Sequence, residues 1–394
     1  SCQLKQSYCM KYLAALLLLV SASASAQAIH FNSVLVDAHN DCVTACIEKK
    51  VSLDQDLRGI NHSDLARFKQ GGVDYQLFSI WCDGEKVNPY AWAMREMDTI
   101  DAVAARNRDK MVVAKTWKEI QDALKKNKFI AQYGVEGGHM IEDDINKLNT
   151  FYARGVRYMT LTWNNSPSWA SSHADEKNPN FTRKKGLNTF GKEIIKRMNQ
   201  LGIIVDVSHV GEVTFWDAIN TTTKPVIASH SNAYSICPVS RNLKDDQIIA
   251  IGKNGGVIHL NFFSGFVDSN FSKKDAAFRK KHAKEIDSLL ATGIQREYAF
   301  TIISDKYPKE SGNIKPDLEQ LMQHFDHIVK LVGVDHVGLG SDFDGINSAP
   351  KELKTVVDYP VFTKALIARG YSNKDISKVL GGNFLRVYRI NNPN

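Results

Sequence analysis

Cysteine is scarce in this sequence, with six in 394 residues. Cys2 and Cys9 lie ahead of a leader-like segment. That leaves Cys42, Cys46, Cys82 and Cys237, too few for a disulfide framework. Cys42 and Cys46 stand four apart and compete for one partner, so at most one bridge is expected, with Cys82 the candidate. An apolar run long enough to cross a bilayer is also absent. Tyr12 to Val20 spans nine residues, where a spanning helix needs about 20. Charge of one sign does not dominate. Lys and Arg number 50 against 43 Asp and Glu, a formal net charge of +7, and the two signs are mixed along the chain. There is no arginine-rich arm, zinc finger or RNA-binding signature, so no nucleic-acid partner is expected. Repeats and linkers rich in Gly, Pro or Ser are missing, which argues for a single folded unit.

Residues 1–26 read as a signal peptide with nine extra residues before the natural start, Met10. Lys11 precedes the apolar run, and Ala24-Ser25-Ala26 has the small-x-small form that signal peptidase accepts. The mature protein is then 27–394, exported to a periplasm or secreted, with no stable membrane span. No apolar tail follows Arg389 that would signal a lipid anchor.

Eight short β-rich runs are separated by stretches of helical period: Val34–His39, Tyr75–Trp81, Ala131–Glu136, Arg157–Trp163, Ile203–His209, Val226–His230, Gly256–Asn261 and His336–Asp342. Most are apolar nearly throughout, as strands covered on both faces must be. Helices are expected at Thr189–Leu201, Leu318–Leu331, Val361–Arg369 and Asn383–Tyr388. Strands alternating with helices predict an α/β fold with parallel pairing, and eight is the number that closes a (β/α)8 TIM barrel. An open doubly wound sheet would want a glycine-rich phosphate loop after the first strand, and that position reads His39-Asn40-Asp41-Cys42. The longest excursion is an insertion at about 262–316, expected to hold a helix from Lys274 to Leu290. It is a candidate lid or oligomer contact, and a homodimer is compatible with it.

Chemistry in such a barrel sits where the strands end. Five of the eight runs end on an imidazole or a carboxylate: Asp37-Ala38-His39-Asn40-Asp41, Gly134-Val135-Glu136-Gly137-Gly138, Asp206-Val207-Ser208-His209, Ala228-Ser229-His230-Ser231 and Gly340-Ser341-Asp342-Phe343-Asp344-Gly345. Three imidazoles with carboxylates form a nitrogen and oxygen donor set that suits Zn²⁺, with Mn²⁺ and Co²⁺ as alternatives. These are too many ligands for one tetrahedral site with an open position. Two metals bridged by a carboxylate use them all. Glu136 is the expected bridge, since its flanking glycines allow close backbone approach.

These motifs, with Ser240-Arg241-Asn242 and Gly381-Gly382-Asn383-Phe384-Leu385-Arg386, resemble the successive motifs of the membrane (renal-type) dipeptidases, over roughly Leu35 to Tyr388. The resemblance implies a dizinc peptidase on a (β/α)8 barrel related to the amidohydrolases. It implies His39 and Asp41 on one zinc, His209 and His230 on the other, and Glu136 between them, two Zn²⁺ per chain. It implies Arg241, in the segment with Asn242, as the grip on a dipeptide's carboxylate. Asp342, catalytic alongside Glu136, would face the free amine or the leaving nitrogen. Tolerance of a D-residue at the C-terminal position is part of the same implication. A cyclic amide, lactone or β-lactam hydrolase on the same centre is the alternative.

The sequence departs from the family pattern at Trp163, where Leu161-Thr162 is followed by tryptophan instead of a histidine that contacts the substrate carbonyl. His173 is the nearest replacement. Cys237 matches a family cysteine, but its expected partner region holds Ser264 and Ser269. Trp81, Trp163 and Trp169 are candidate walls of a substrate pocket, and His139 a candidate support for a ligand. His259 is expected in the barrel core beside Asn261. His62, His282, His324, His327 and His336 are expected on the surface.

Overall fold

The computed structural model describes residues 27–293 and 296–392. The expected leader lies outside the described residues. Nine strands are present among them: β1 (Leu35–Asn40), β2 (Val73–Ile80), β3 (Met111–Val113), β4 (Phe129–Glu136), β5 (Val156–Thr160), β6 (Ile204–Asp206), β7 (Ile227–Ala228), β8 (Val257–Leu260) and β9 (Val337–Leu339). Every pairing is parallel. β1 pairs with β2, β2 with β4, and the order then runs β5 to β9, which returns to β1. Eight strands therefore close a (β/α)8 barrel, and they are the eight that the sequence predicts. β3 is additional. It pairs only with the start of β4, at Phe129 to Ala131, and its three residues are too short to carry a periodic signal.

Strand alternation sends every second side chain inward. On β4 the file is Ile130, Gln132, Gly134, Glu136. On β2 it is Tyr75, Leu77, Ser79, and on β6 it is Ile204, Asp206. Each file is apolar at the strand start and polar at the strand end. The apolar ends, with Val36, Tyr158, Ile227 and Val257, pack on Phe384, Val387 and Tyr388. Those three belong to the helix Asn383–Asn391, which closes the barrel floor. The larger apolar layer lies outside the strands, against the helices. Local signals start those helices. Thr116 and Glu119 form a capping box ahead of Trp117–Lys125, and Asp317 and Gln320 do the same for Leu318–Val332. Thr189–Leu201 begins at an Asn188 cap and ends before Gly202, as expected.

The excursion after β8 carries helices Ser264–Val267, Phe271–Lys281, Ala283–Leu290, Arg296–Lys306 and Pro308–Ile314. It has its own apolar cluster of Phe278, Ile286 and Ile303. The single helix expected from Lys274 to Leu290 is broken at His282. That residue is buried, stacks on Tyr307 with ring centroids 4.0 Å apart, and its Nε2 lies 3.2 Å from Glu310 Oε2. His324 is also buried rather than on the surface. Its Nδ1 accepts from Ala233 N at 3.1 Å and its Nε2 donates to Val267 O at 3.0 Å, which ties two loops together. No described helix is long and apolar enough to cross a membrane.

Cys42, Cys46, Cys82 and Cys237 are free thiols. Cys82 faces His139 Nε2 at 3.7 Å, and Cys237 lies against the Gly265 carbonyl, next to Ser264.

Candidate metal centre

Glu136 ends β4 and stands at the middle of the barrel mouth. Its Oε1 lies 2.9 Å from His209 Nε2 and 3.4 Å from His230 Nε2, and its Oε2 lies 3.3 Å from His39 Nε2. One carboxylate thus faces two groups of imidazoles through its two oxygens. Asp41 Oδ2 is 3.5 Å from His39 Nε2. Although Asp41 sits at the N-terminus of the helix Cys42–Lys49, its side chain gives no capping bond. Asn40 serves instead, accepting from Cys42 N, and Asp41 is free to turn to the centre. Asp342 joins His39 and Asp41 within 4.8 Å. All six side chains lie under the barrel rim, and His209 and Asp342 hold left-handed backbone (φ 63° each), a conformation non-glycine residues keep only where the surroundings impose it.

The Nδ1 atoms explain the orientation of the rings. His39 Nδ1 bonds Tyr158 Oη at 2.8 Å, His209 Nδ1 bonds Asn164 Oδ1 at 2.9 Å, and His230 Nδ1 bonds Ser229 Oγ at 2.7 Å. Each ring spends its outer nitrogen on the protein and turns Nε2 inward. There, His209 and His230 bring Nε2 atoms within 3.0 Å of one another, and His39 Nε2 has no hydrogen-bond partner. Lone pairs and carboxylates converging in a buried space call for a cation. A divalent metal with nitrogen and oxygen preferences fits this donor set.

Charge states follow the geometry. Burial pulls His39 down, but Tyr158, Glu136 and Asp41 outweigh it and hold its imidazole well above the usual value. Burial pushes Glu136 up, yet His39, His209 and His230 hold it well below the carboxylate range. Burial, reinforced by Arg241, pushes His209 down to about 4. Burial, then His39 and Arg241, take His230 well below its usual value. Burial and the neighbouring Asp41 raise Asp342 well above the carboxylate range. His39 and Asp342 are therefore the proton-holding members that a cation displaces.

Tyr158 crosses the barrel to reach His39, and Gly134 makes room for it. A Cβ on Gly134 would stand 1.9 Å from Tyr158 Cζ. Gly134→Ala is expected to push the ring aside, break the bond to His39 and cost about 1–3 kcal/mol of stability by overpacking. Thermal melting checks this, and an unchanged melt would show that the ring yields freely. Gly345 plays the same part at the rim, where a Cβ would lie 2.2 Å from Asp41 Oδ2 and 2.6 Å from Asp342 Oδ1.

Arg241 is buried beside the cluster. It donates to Ser231 Oγ at 2.8 Å and to His230 O at 2.9 Å, while its Nε has no partner. Burial lowers its pKa to about 10, so it stays charged. It makes no ion pair with any described carboxylate. Asn242 gives its amide protons to Cys237 O and Phe266 O, both at 2.9 Å, so it shapes the Arg241 loop. A groove of about 450 Å³ opens here, lined by His173, His209, Trp216, Tyr234, Arg241 and Asn242 among others.

Trp163 is half-buried at the rim, edge-on to Trp81 at 5.0 Å and 6.5 Å from the His209 ring. Trp169 is in the core and walls nothing. His173 reaches the site, but both nitrogens are engaged, with Ser240 Oγ at 2.9 Å and Asn164 Oδ1 at 3.0 Å. His139 bonds Cys82 O and touches no ligand candidate. His259 is buried and bonds Ala228 O at 3.0 Å. Tyr158, Asn164 and Ser229 hold the three rings and were not singled out from sequence. Among them only Ser229 had a local signal, standing next to His230.

A closed parallel barrel with imidazoles and carboxylates gathered at its strand ends defines a metal-holding barrel of the hydrolase type. The chain belongs to the membrane dipeptidase family, peptidase family M19, whose model matches residues 23–393. It is 31% identical over 376 residues to an uncharacterized dipeptidase of Schizosaccharomyces pombe, covering 90% of this chain and 80% of that one. Dipeptidase 3 of Macaca fascicularis and of Homo sapiens are 29% and 28% identical over 370 residues. Those alignments cover 92% of this chain and 66% of each relative, so the chain spans just under two thirds of their length. The probable dipeptidase PvdM of Pseudomonas aeruginosa shares the fold with a TM-score of 0.77 at 24% identity, over 95% of this chain and 99% of that one. A metallopeptidase of Rhodobacter sphaeroides, liganded with a phosphinate mimic of the dipeptide L-Ala-D-Ala, shares it with a TM-score of 0.73 at 21% identity, over 91% and 99%.

Proposed function

We propose that this protein is a zinc-dependent dipeptidase that works after export. The observation that carries the reading is Arg241, a buried guanidinium that makes no ion pair with any described carboxylate, on the edge of a cluster built to hold cations. A buried charge left unpaired is costly, and a substrate carboxylate supplies the partner. The free Nε–H and a terminal N–H offer the planar two-pronged grip that carboxylates take.

The residues divide the work. His39 and Asp41 would hold one zinc, His209 and His230 the other, with Glu136 shared. Zinc in this position supplies Lewis acidity to the scissile carbonyl and to the attacking water. Asp342 accepts Asn261 Nδ2 at its Oδ2 (2.9 Å), which leaves Oδ1 to hold a proton. Placed at the rim of the cluster, it would pass a proton to the departing amine. Arg241 fixes the C-terminal end, so the peptide bond cut is the one adjoining the terminal residue. Trp163 and Trp81 offer apolar surface and no carbonyl donor. With His173 engaged on both nitrogens, carbonyl polarisation falls to the cation site.

The Rhodobacter sphaeroides metallopeptidase takes a mimic with a D-residue at its C-terminal position, and we extend that tolerance to this chain. A panel of L,L- and L,D-dipeptides, with Zn²⁺ and with a chelator, tests the reading. Free dipeptides of both kinds are expected to be cleaved, with activity lost to chelator and restored by Zn²⁺. Trp163 keeps one other reading in play, since it removes a peptide-carbonyl donor. Hydrolysis of an amine-blocked cyclic amide or lactone, with no dipeptide cleaved, would move the assignment to that class.

A further inference from the structure

We propose that Asp206 is a positioning residue that acts through the Ser229 hydroxyl on His230. The inference rests on the reading above in taking His230 Nε2 as a donor to one of two metals. Asp206 is fully buried, on the inward file of β6. Its Oδ1 accepts from Ser229 N at 2.8 Å and from Ser208 N at 3.1 Å. Its Oδ2 accepts from Thr160 Oγ1 and from Ser229 Oγ, the latter at 2.6 Å. A hydroxyl has one proton to give. Ser229 gives its proton to the carboxylate, so its oxygen can only accept at its second contact, His230 Nδ1 at 2.7 Å. The ring proton is thereby fixed on Nδ1 and the lone pair on Nε2, 3.4 Å from Glu136 Oε1.

This connection distinguishes His230 from the other two rings. His209 leans on an amide oxygen, Asn164 Oδ1, and His39 on a phenol, Tyr158. Among the three, only His230 is linked through its Nδ1 to a carboxylate, one hydroxyl away. Supports of this kind set the tautomer and raise the donor strength of an imidazole, and losing one typically costs 10–100-fold in metal affinity.

Ser229→Ala removes the link with little else disturbed, because Asp206 keeps Ser229 N, Ser208 N and Thr160. Two measurements on the whole protein, neither needing a substrate, test the proposal. Zn²⁺ titration against a competing chelator is expected to show one equivalent weakened about 10–100-fold in Ser229→Ala. The other equivalent should be unchanged, and Ser229→Thr should restore the weakened one. Nitrogen NMR of the metal-free protein at pH 8 is expected to show His230 with its proton on Nδ1 in the wild type and in Ser229→Thr. Ser229→Ala should show a tautomer mixture. Unchanged zinc affinity in Ser229→Ala, or an Nε2-protonated His230 in the wild type, would overturn the proposal. Absence of dipeptide cleavage would sink the proposed activity and leave these two readouts standing.

Discussion

Glu136→Gln is expected to empty the site and stop the reaction. The carboxylate offers an anionic oxygen to each side, Oε1 to His209 and His230 and Oε2 to His39. An amide keeps the shape, but it loses the charge and turns one oxygen into an N–H donor. That donor faces either a lone pair it would occupy or a cation it would repel. Ser79 Oγ, which donates to Oε2 at 2.9 Å, favours the amide oxygen on that side. The N–H₂ then points at the His209 and His230 pair. Metal content, measured after dialysis, should fall from about two equivalents to below one. Lewis-acid stabilisation is worth several kcal/mol, and about 1.4 kcal/mol is a decade of rate. Turnover should therefore drop at least about 10³-fold while the circular dichroism spectrum is kept. A variant that retains two metals and full turnover would remove Glu136 from the centre.

Arg241→Ala is the second large effect, and it should depend on the substrate. A dipeptide that loses a buried two-pronged partner forfeits charge-assisted hydrogen bonds, each worth about 1.5–3 kcal/mol. Two of them correspond to a fall of roughly 10²–10⁴ in kcat/KM. Substrates whose C-terminal carboxylate is amidated have nothing to lose and should change little. The Arg241→Lys variant tests the geometry, since a point charge restores attraction without the fork. Arg241 also donates to His230 O and Ser231 Oγ, and so ties its own loop to the end of β7. Equal losses on free and amidated substrates would assign it to the loop instead of the carboxylate.

Much of this site is written locally. His39 with Asp41, Glu136, His209, His230 and Asp342 each close a β-rich run, and strand ends are where a parallel barrel gathers its side chains. The eight barrel strands show for the same reason, as buried runs that must be apolar on both faces. What holds the ligands is written across the chain. Tyr158 reaches His39 from 119 residues away, and Asn164 reaches His209 from 45. No local pattern marks a tyrosine or an asparagine for that task. The break at His282 and the burial of His324 were hidden likewise, because the partners that draw each ring inward lie on other segments. β3 escaped because three residues cannot establish a period.

The pairing of β1 with β9 has a bearing on how the protein is made. The first strand finds its neighbour about 300 residues later, and Asp342 N bonds the carbonyl of His39 across that seam. At synthesis rates of about 5–20 residues per second, roughly 15–60 s pass between the two reaching the ribosome exit. Throughout that time the barrel has an open seam and its floor helix, Asn383–Asn391, has not been made. The nascent chain thus has no closed mouth in which to trap a metal ion. The side chains of the mouth are drawn into one buried cluster only when translation is nearly over.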